Sequence, residues 1–228
     1  LHTEAVREAI RLAANGDPAD PAAFRWTFEV ARPVDAFLRG AAPGEIDALR
    51  AAVAAGRLSI SGGYLNNAVL AGDEDLARSG YDTRYKMNPP LRGEEDRQAL
   101  VTALADGTID CVATDHAPHH ADEKAMEFAA APFGVTGLET ALAVLVDGLV
   151  APRLLSLTRL VEAMSTAPAR LFGLPSGTLA EGAPADVVLF STSRTTTFSS
   201  FRSLSANSPW AGRTLRGRVE RTFVGGRE

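Results

Sequence analysis

Cysteine is almost missing from this chain: of 228 residues only Cys111 is one. A single thiol closes no intrachain disulfide, which excludes a disulfide-stapled secreted scaffold and fits a reducing cytoplasm. Because it sits in the apolar run Ile109-Asp110-Cys111-Val112-Ala113, Cys111 reads as a core residue rather than a nucleophile. Histidine is scarce too, with His2, His116, His119 and His120 the whole supply. No Cys pair and no His-Glu-x-x-His is present, so the spacing of structural zinc modules and of zinc proteases is excluded. Positive charge is in deficit, with a formal net charge of −5, and this removes the electrostatic basis for holding nucleic acid or an anionic membrane. No stretch reaches the roughly 18 apolar residues of a membrane span, and residues 1–16 lack the basic-then-apolar pattern of a secretory signal. A start at Leu1 rather than Met reads as a piece of a longer chain.

What is present is a globular composition, 46% hydrophobic and 22% charged, near the average for folded domains. An α/β barrel takes about 250 residues, so the chain is long enough for most of one, or for part of one with a small second domain. Residues 4–14 carry Val6, Ile10 and Ala13 on one helical face and end at Asn15-Gly16. Residues 24–30 alternate as a strand; Ile46, Leu49 and Val53 have helical spacing before Gly56, and residues 57–61 read as the next strand. Helices alternating with strands predict a mainly parallel sheet. The rhythm returns with a helix opened by Glu94 and Glu95 and closed by Gly107, followed at once by a strand over 109–114. Leu138, Leu142, Leu145 and Leu149 fall on one face of a long helix, and shorter helices cover 157–164 and 167–171. Beyond Leu174, Pro175, Gly177, Gly182 and Pro184 punctuate strand-like runs at 187–190 and 214–224, with a polar surface loop expected over 192–208. The expected domains are therefore 1–67, an α/β segment; 68–174, part of a barrel; and 175–228, a small β domain.

Chemistry is concentrated after the strand at 109–114. Thr114-Asp115-His116-Ala117-Pro118-His119 stands where a barrel strand would emerge, and barrel enzymes build their sites on such loops. Carboxylate and imidazole are ordinary zinc ligands, but the spacing equally suits a solvated His-rich turn. Asp115 is the strongest candidate, since a strand-end carboxylate beside a metal-bound water both ligates the ion and takes the water's proton. His116 reads as a brace for the loop and His120 as solvated. In Tyr85-Lys86-Met87-Asn88-Pro89-Pro90-Leu91-Arg92 two prolines hold Asn88 in an extended path, where its amide can both donate to and accept from a planar amide. Asn-Pro is also a common turn starter. Phe133-Gly134, after Ala131-Pro132, can present unpaired backbone groups to a ligand, or be a plain loop.

Taken together, residues from about 70 to 228 resemble the C-terminal half of a dihydroorotase of the amidohydrolase superfamily. The likeness rests on the run Tyr81-Asp82-Thr83-Arg84-Tyr85-Lys86-Met87-Asn88-Pro89-Pro90-Leu91-Arg92, on Asp106-Gly107-Thr108-Ile109-Asp110 and Ala113 to His119, and on Glu123-Lys124, Phe128 and Ala131-Pro132-Phe133-Gly134. It continues through Gly137-Leu138-Glu139-Thr140, Pro168 to Leu174, Gly177-Thr178-Leu179, Gly182 to Asp186 and Asn207-Ser208-Pro209 to Gly225-Gly226. The resemblance implies a partial (β/α)8 TIM barrel with a small C-terminal β domain, and a zinc-dependent reaction that interconverts N-carbamoyl-L-aspartate and dihydroorotate in pyrimidine biosynthesis. It implies that Asp115 is the metal-ligating acid and the general acid/base, that Asn88 and His119 grip dihydroorotate, His119 through its carboxylate, and that the Phe133-Gly134 backbone contacts its ring. A homo-oligomer or an aspartate transcarbamoylase-like partner is the implied assembly.

The family's early His-x-His pair, its bridging Lys or Asp and two later His ligands would all precede this segment, and His2 is the only histidine there. Residues 1–67 instead resemble the N-terminal segment of alpha-mannosidase-like glycoside hydrolases, through Phe24 to Val30, Pro33-Val34, Phe37-Leu38, Gly56-Arg57-Leu58 and Gly62-Gly63-Tyr64-Leu65-Asn66. This predicts a junction between Asn66 and Asp75, and with it a chimeric chain or a remodelled paralogue. The readings in competition are a cyclic amide hydrolase, a non-catalytic dihydroorotase-like scaffold, and a sugar-processing role for which no paired carboxylates stand at a defined site.

Overall fold

The computed structural model describes residues 42–44, 47 and 71–228, together with the backbone of strands β1 (Trp26–Phe28) and β2 (Leu58–Ile60). The chain divides into two compact units, Leu1–Gly63 and Tyr64–Glu228. In the first, β1 and β2 pair in parallel, Trp26 opposite Leu58 and Phe28 opposite Ile60. A parallel pair needs a crossover between its strands, and Pro43, Gly44 and Asp47 have helical backbone within that interval. The expected helix at 4–14, Ile46, Leu49 and Val53 of the crossover, and residues 61–67 lie outside the described residues, as does most of the stretch resembling alpha-mannosidase-like hydrolases.

The second unit runs α1 (Asp73–Arg78), a 3-10 turn (Thr83–Tyr85), α2 (Glu94–Asp106), α3 (Ala121–Lys124), α4 (Ala141–Leu145) passing into a π-helical turn (Val146–Val150), α5 (Leu157–Val161), a second π turn (Glu162–Thr166), α6 (Ala167–Phe172), and strands β3 (Val187–Thr197) and β4 (Thr214–Phe223). Three acids fill the first turn of α2, Glu94, Glu95 and Asp96, where they meet the positive end of the helix dipole. Its inward residues, Val101 and Leu104, join Leu145, Val146, Leu149, Leu155 and Leu160 in one apolar cluster. A second cluster gathers Tyr85, Met87, Leu91, Val135, Phe198, Trp210 and Leu215 around Ala143 and Val144. The segment from α4 through the π turn therefore belongs to both clusters, and it is apolar on nearly every side because nearly every side is covered.

Three expectations are corrected in detail. Leu138 does not share the buried face of Leu145 and Leu149: it is 63% exposed, ahead of a helix that begins at Ala141. The N–H groups of Gly137 and Leu138 are bound to His116 Nδ1, which holds this stretch out of the helix. No strand ladder forms over 109–114 among the described residues. Val112 N–H goes to Ala163 O at 3.0 Å, and a parallel bridge joins His116 to Val135, so among the described residues no neighbour is aligned with the segment over several residues. Finally, β3 reaches Thr197, into the stretch expected as loop: Thr195, Thr196 and Thr197 pair with Arg216, Leu215 and Thr214, and the Thr197 and Thr214 hydroxyls lie 2.8 Å apart. On β4, Leu215 and Gly217 face inward while Arg216 and Arg218 stay exposed. Gly217 has φ +103°, and a Cβ there would sit 2.8 Å from Ala143 Cα, so the strand crosses α4 at a separation that only glycine allows.

Candidate functional site

The loop leaving Cys111 turns at Asp115, whose φ is +44°. That left-handed conformation costs most L-residues about 1–2 kcal/mol, less for Asp, and such outliers cluster where function demands a particular side-chain direction. The Asp115 side chain is exposed. His116, next in line, accepts the N–H groups of Gly137 (3.1 Å) and Leu138 (3.3 Å) on Nδ1. A neutral imidazole has one lone pair, and His116 commits it to the backbone, so the residue braces the loop. Ala117 N–H then binds Val135 O at 3.0 Å.

His119 is where the two loops close on each other. Its Nε2 lies 2.9 Å from Phe133 O; a carbonyl only accepts, so Nε2 carries the proton. Glu123 Oε2 stands 3.5 Å from Nδ1. Gly134 has φ +118°, and a Cβ there would fall 2.6 Å from Ala117 Cβ and 3.0 Å from His119 Nε2. Asn207 locks the junction from beneath: its Nδ2 donates to Ala117 O (3.0 Å) and Gly134 O (3.2 Å), and its Oδ1 accepts His119 N–H (3.3 Å). A cavity of about 410 Å³ lies alongside, lined in part by Asp82, Arg84, His119, Lys124 and Asn207.

The structure thus brings His119, Phe133 and Gly134 together. Three of the four backbone groups of Phe133 and Gly134 are paired, Phe133 O with His119, Gly134 N–H with Lys86 O at 3.0 Å, and Gly134 O with Asn207 and Lys124, while the Phe133 N–H has no hydrogen bond among the described residues. Asn88 follows Lys86 by two residues in the chain. Its Oδ1 is buried with no hydrogen-bond partner among the described residues, and a buried acceptor left unpaired is costly unless a ligand supplies the donor. The Asn88–Pro89 bond is cis. No hydrogen bond joins Asp115 to Asn88 or to the His119 contact among the described residues.

Sequence reasoning missed Asn207, Lys86 and Lys124 as parts of the site. A lysine between Tyr85 and Met87, both buried, was the available signal, because a charged head in such a run must find acceptors or escape to water. The Lys124 ammonium is pushed down to about 8, first by burial and then by the charge of Lys86, against the pull of Asp82. Burial pushes the Cys111 thiol up, the state of an inert core cysteine.

The zinc implied by resemblance finds an incomplete seat. A catalytic zinc site takes three protein ligands, and no group of three His, Cys, Asp or Glu that could hold a metal exists among the described residues. Asp115 offers its carboxylate, while His116, His119 and His120 each commit a ring nitrogen to the backbone. The described residues alone do not fit the ion. No helix among them is long and apolar enough to cross a membrane.

Among curated proteins, the chain is 50% identical over 186 residues to "Dihydroorotase" of Anaeromyxobacter dehalogenans, a match covering 81% of this chain and 42% of that protein. It is 46% identical over 156 residues to "Dihydroorotase" of Enterococcus faecalis, covering 68% of this chain and 36% of that one. The chain spans less than half the length of these relatives. Among solved structures, the L-hydantoinase (dihydropyrimidinase) of Arthrobacter aurescens is similar over 98% of this chain and 53% of its own, with a TM-score of 0.71 at 28% identity. The dihydropyrimidinase of Brevibacillus agri, with a TM-score of 0.72 at 22% identity, covers 99% of this chain and 47% of its own and shows a shared fold alone. The amidohydrolase family model matches continuously from residue 10 to residue 228, through both compact units, and the chain belongs to the amidohydrolase family.

Proposed function

We propose that this chain carries the substrate-side part of a dihydroorotase-type cyclic amide hydrolase, which interconverts N-carbamoyl-L-aspartate and dihydroorotate. The observation that carries the reading is the closure of His119 on the Phe133–Gly134 peptide, in a chain 46–50% identical to proteins named dihydroorotase.

Opening a cyclic amide requires a proton to leave the attacking water and another to reach the departing nitrogen. Asp115, exposed at a backbone position that fixes its direction, suits that transfer. Asn88 brings a buried acceptor with no partner among the described residues, which matches a ring N–H. The His119 N–H, now on Phe133 O, is the donor that exchanges that carbonyl for the substrate carboxylate, a stronger, charge-assisted acceptor. Among the described residues, Asp115 is the one that would offer a carboxylate to zinc here.

The test is calorimetric titration of the chain with dihydroorotate and, in parallel, with hydantoin, followed by a hydrolysis assay with added zinc. Dihydroorotate should bind, and His119→Ala should weaken it on the order of tenfold or more, the loss of a charge-assisted hydrogen bond. Asp115→Asn should leave binding and melting temperature in place and remove turnover. Binding without any turnover would favour the non-catalytic scaffold. Tighter binding of hydantoin, or affinity for dihydroorotate indifferent to His119→Ala, would overturn the substrate assignment.

A further inference from the structure

Two lysines lie where lysine seldom does. Lys86 is 6% exposed and Lys124 is 8% exposed, and an ammonium withdrawn from water is costly unless strong acceptors replace its hydration. The acceptors here are backbone carbonyls of one short segment. Lys86 Nζ reaches Phe128 O (2.5 Å), Ala129 O (3.0 Å) and Ala131 O (2.6 Å), which uses all three of its donors. It also stands 4.6 Å from the Phe133 ring centroid and 5.2 Å from that of Phe128, within cation–π range. Lys124 Nζ takes up the path where Lys86 leaves it, at Pro132 O and Gly134 O, both 3.0 Å. The two lysine-bearing segments are tied to each other by the Thr83 hydroxyl, which donates to Lys124 O.

We propose that Lys86 and Lys124 are positioning residues that together set the course of residues 128–134 and so aim the Phe133–Gly134 peptide at the site; the word "site" rests on the substrate reading above. The aiming follows from peptide planarity. In a trans peptide the C=O of one residue and the N–H of the next point in opposite directions. Gly134 N–H is drawn to Lys86 O, so Phe133 C=O faces the other way, to His119 Nε2. Pro132 C=O is drawn to Lys124, so Phe133 N–H faces away from Lys124. Remove the Lys124 ammonium, and the released Pro132 and Gly134 carbonyls turn toward water; remove that of Lys86, and those of Phe128, Ala129 and Ala131 do so, loosening the run that leads into the Phe133–Gly134 peptide while the apolar clusters stay in place.

Hydrogen–deuterium exchange on the intact chain separates this from a general structural role. Lys86→Met and Lys124→Met, each near in length and apolar, should accelerate exchange in the peptide covering 128–136 by about tenfold or more, as expected for lost charge-assisted hydrogen bonds. Exchange across 141–150 should keep its wild-type rate. Lys124→Gln, which retains a donor, should fall between wild type and Lys124→Met, and it decides the matter if a Met variant does not fold. Wild-type exchange over 128–136 in the folded variants, or acceleration spread equally over all peptides, would overturn the proposal. The exchange needs no substrate, so failure of dihydroorotate to bind would sink the substrate reading and leave this one standing.

Discussion

The apolar cluster around Leu104, Leu145, Leu149 and Leu160 and the loops that carry His119 and Gly134 belong to the same compact unit but are held in different ways. In the cluster those four leucines have no exposed surface, and what fixes them is area and shape, a non-directional force shared among many neighbours. Around the site the ties are directional and few: Asn207 to three backbone groups, two lysines to five carbonyls, one imidazole to a pair of N–H groups. Damage to the first should cost global stability, whereas damage to the second should move a peptide plane and leave the fold standing.

The largest effect should come from Leu149→Ala, which opens a cavity in the cluster and should lower unfolding free energy by ~2–5 kcal/mol, read from urea denaturation. Gly134→Ala comes next. Its Cβ would meet Ala117 Cβ at 2.6 Å, at a φ that L-residues rarely adopt, so a loss of about 1–3 kcal/mol is expected. Unlike the leucine variant, it should weaken dihydroorotate binding by more than its stability loss accounts for, which calorimetry on the folded fraction would show.

A third test uses pH. The Lys124 ammonium is pushed down to about 8 in the folded chain, from the ordinary lysine value of 10.5. Between those values the unfolded chain holds a proton that the folded chain has released, so stability rises with pH across that window, by on the order of 1–2 kcal/mol. Denaturation midpoints at pH 7.5, 9 and 10.5 should show the rise in wild type and lose it in Lys124→Met. The smallest effect belongs to the exposed Arg92–Asp96 pair, 3.0 Å apart on the surface; Arg92→Ala should change stability by no more than about 0.5 kcal/mol, and a greater loss would show that the outer face of α2 matters more than its packing suggests.

Local pattern was a good guide where local physics rules. Glu94, Glu95 and Gly107 bound α2 within a residue, the single cysteine is buried as its apolar run implied, and the strand character of 187–190 and 214–224 is there in β3 and β4. It failed where a partner far along the chain decides. Leu138 has helical spacing yet is turned out by His116, 22 residues earlier. Threonines 195–197 read as loop until Thr214 to Arg216 are laid beside them. Of the site, His119, Phe133 and Gly134 could be picked out by motif, but their contact could not, and Asn207 is 88 residues from the His119 N–H it accepts.

Sequence alone determined the class of this protein: an alternating α/β order, a loop rich in acid and imidazole, and a run of motifs specific enough to point to the amidohydrolase family. The first two follow from side-chain type and spacing, which act over one or two turns of chain, and the third is a resemblance carried by the motifs. Only the tertiary structure decided which polar groups are already committed and which remain open, with the imidazoles of His116, His119 and His120 spent on backbone, two ammoniums on carbonyls, and Asn88 Oδ1 left without a partner among the described residues. A hydrogen bond needs both ends within about 3 Å and aligned, and that condition is set by how distant segments pack.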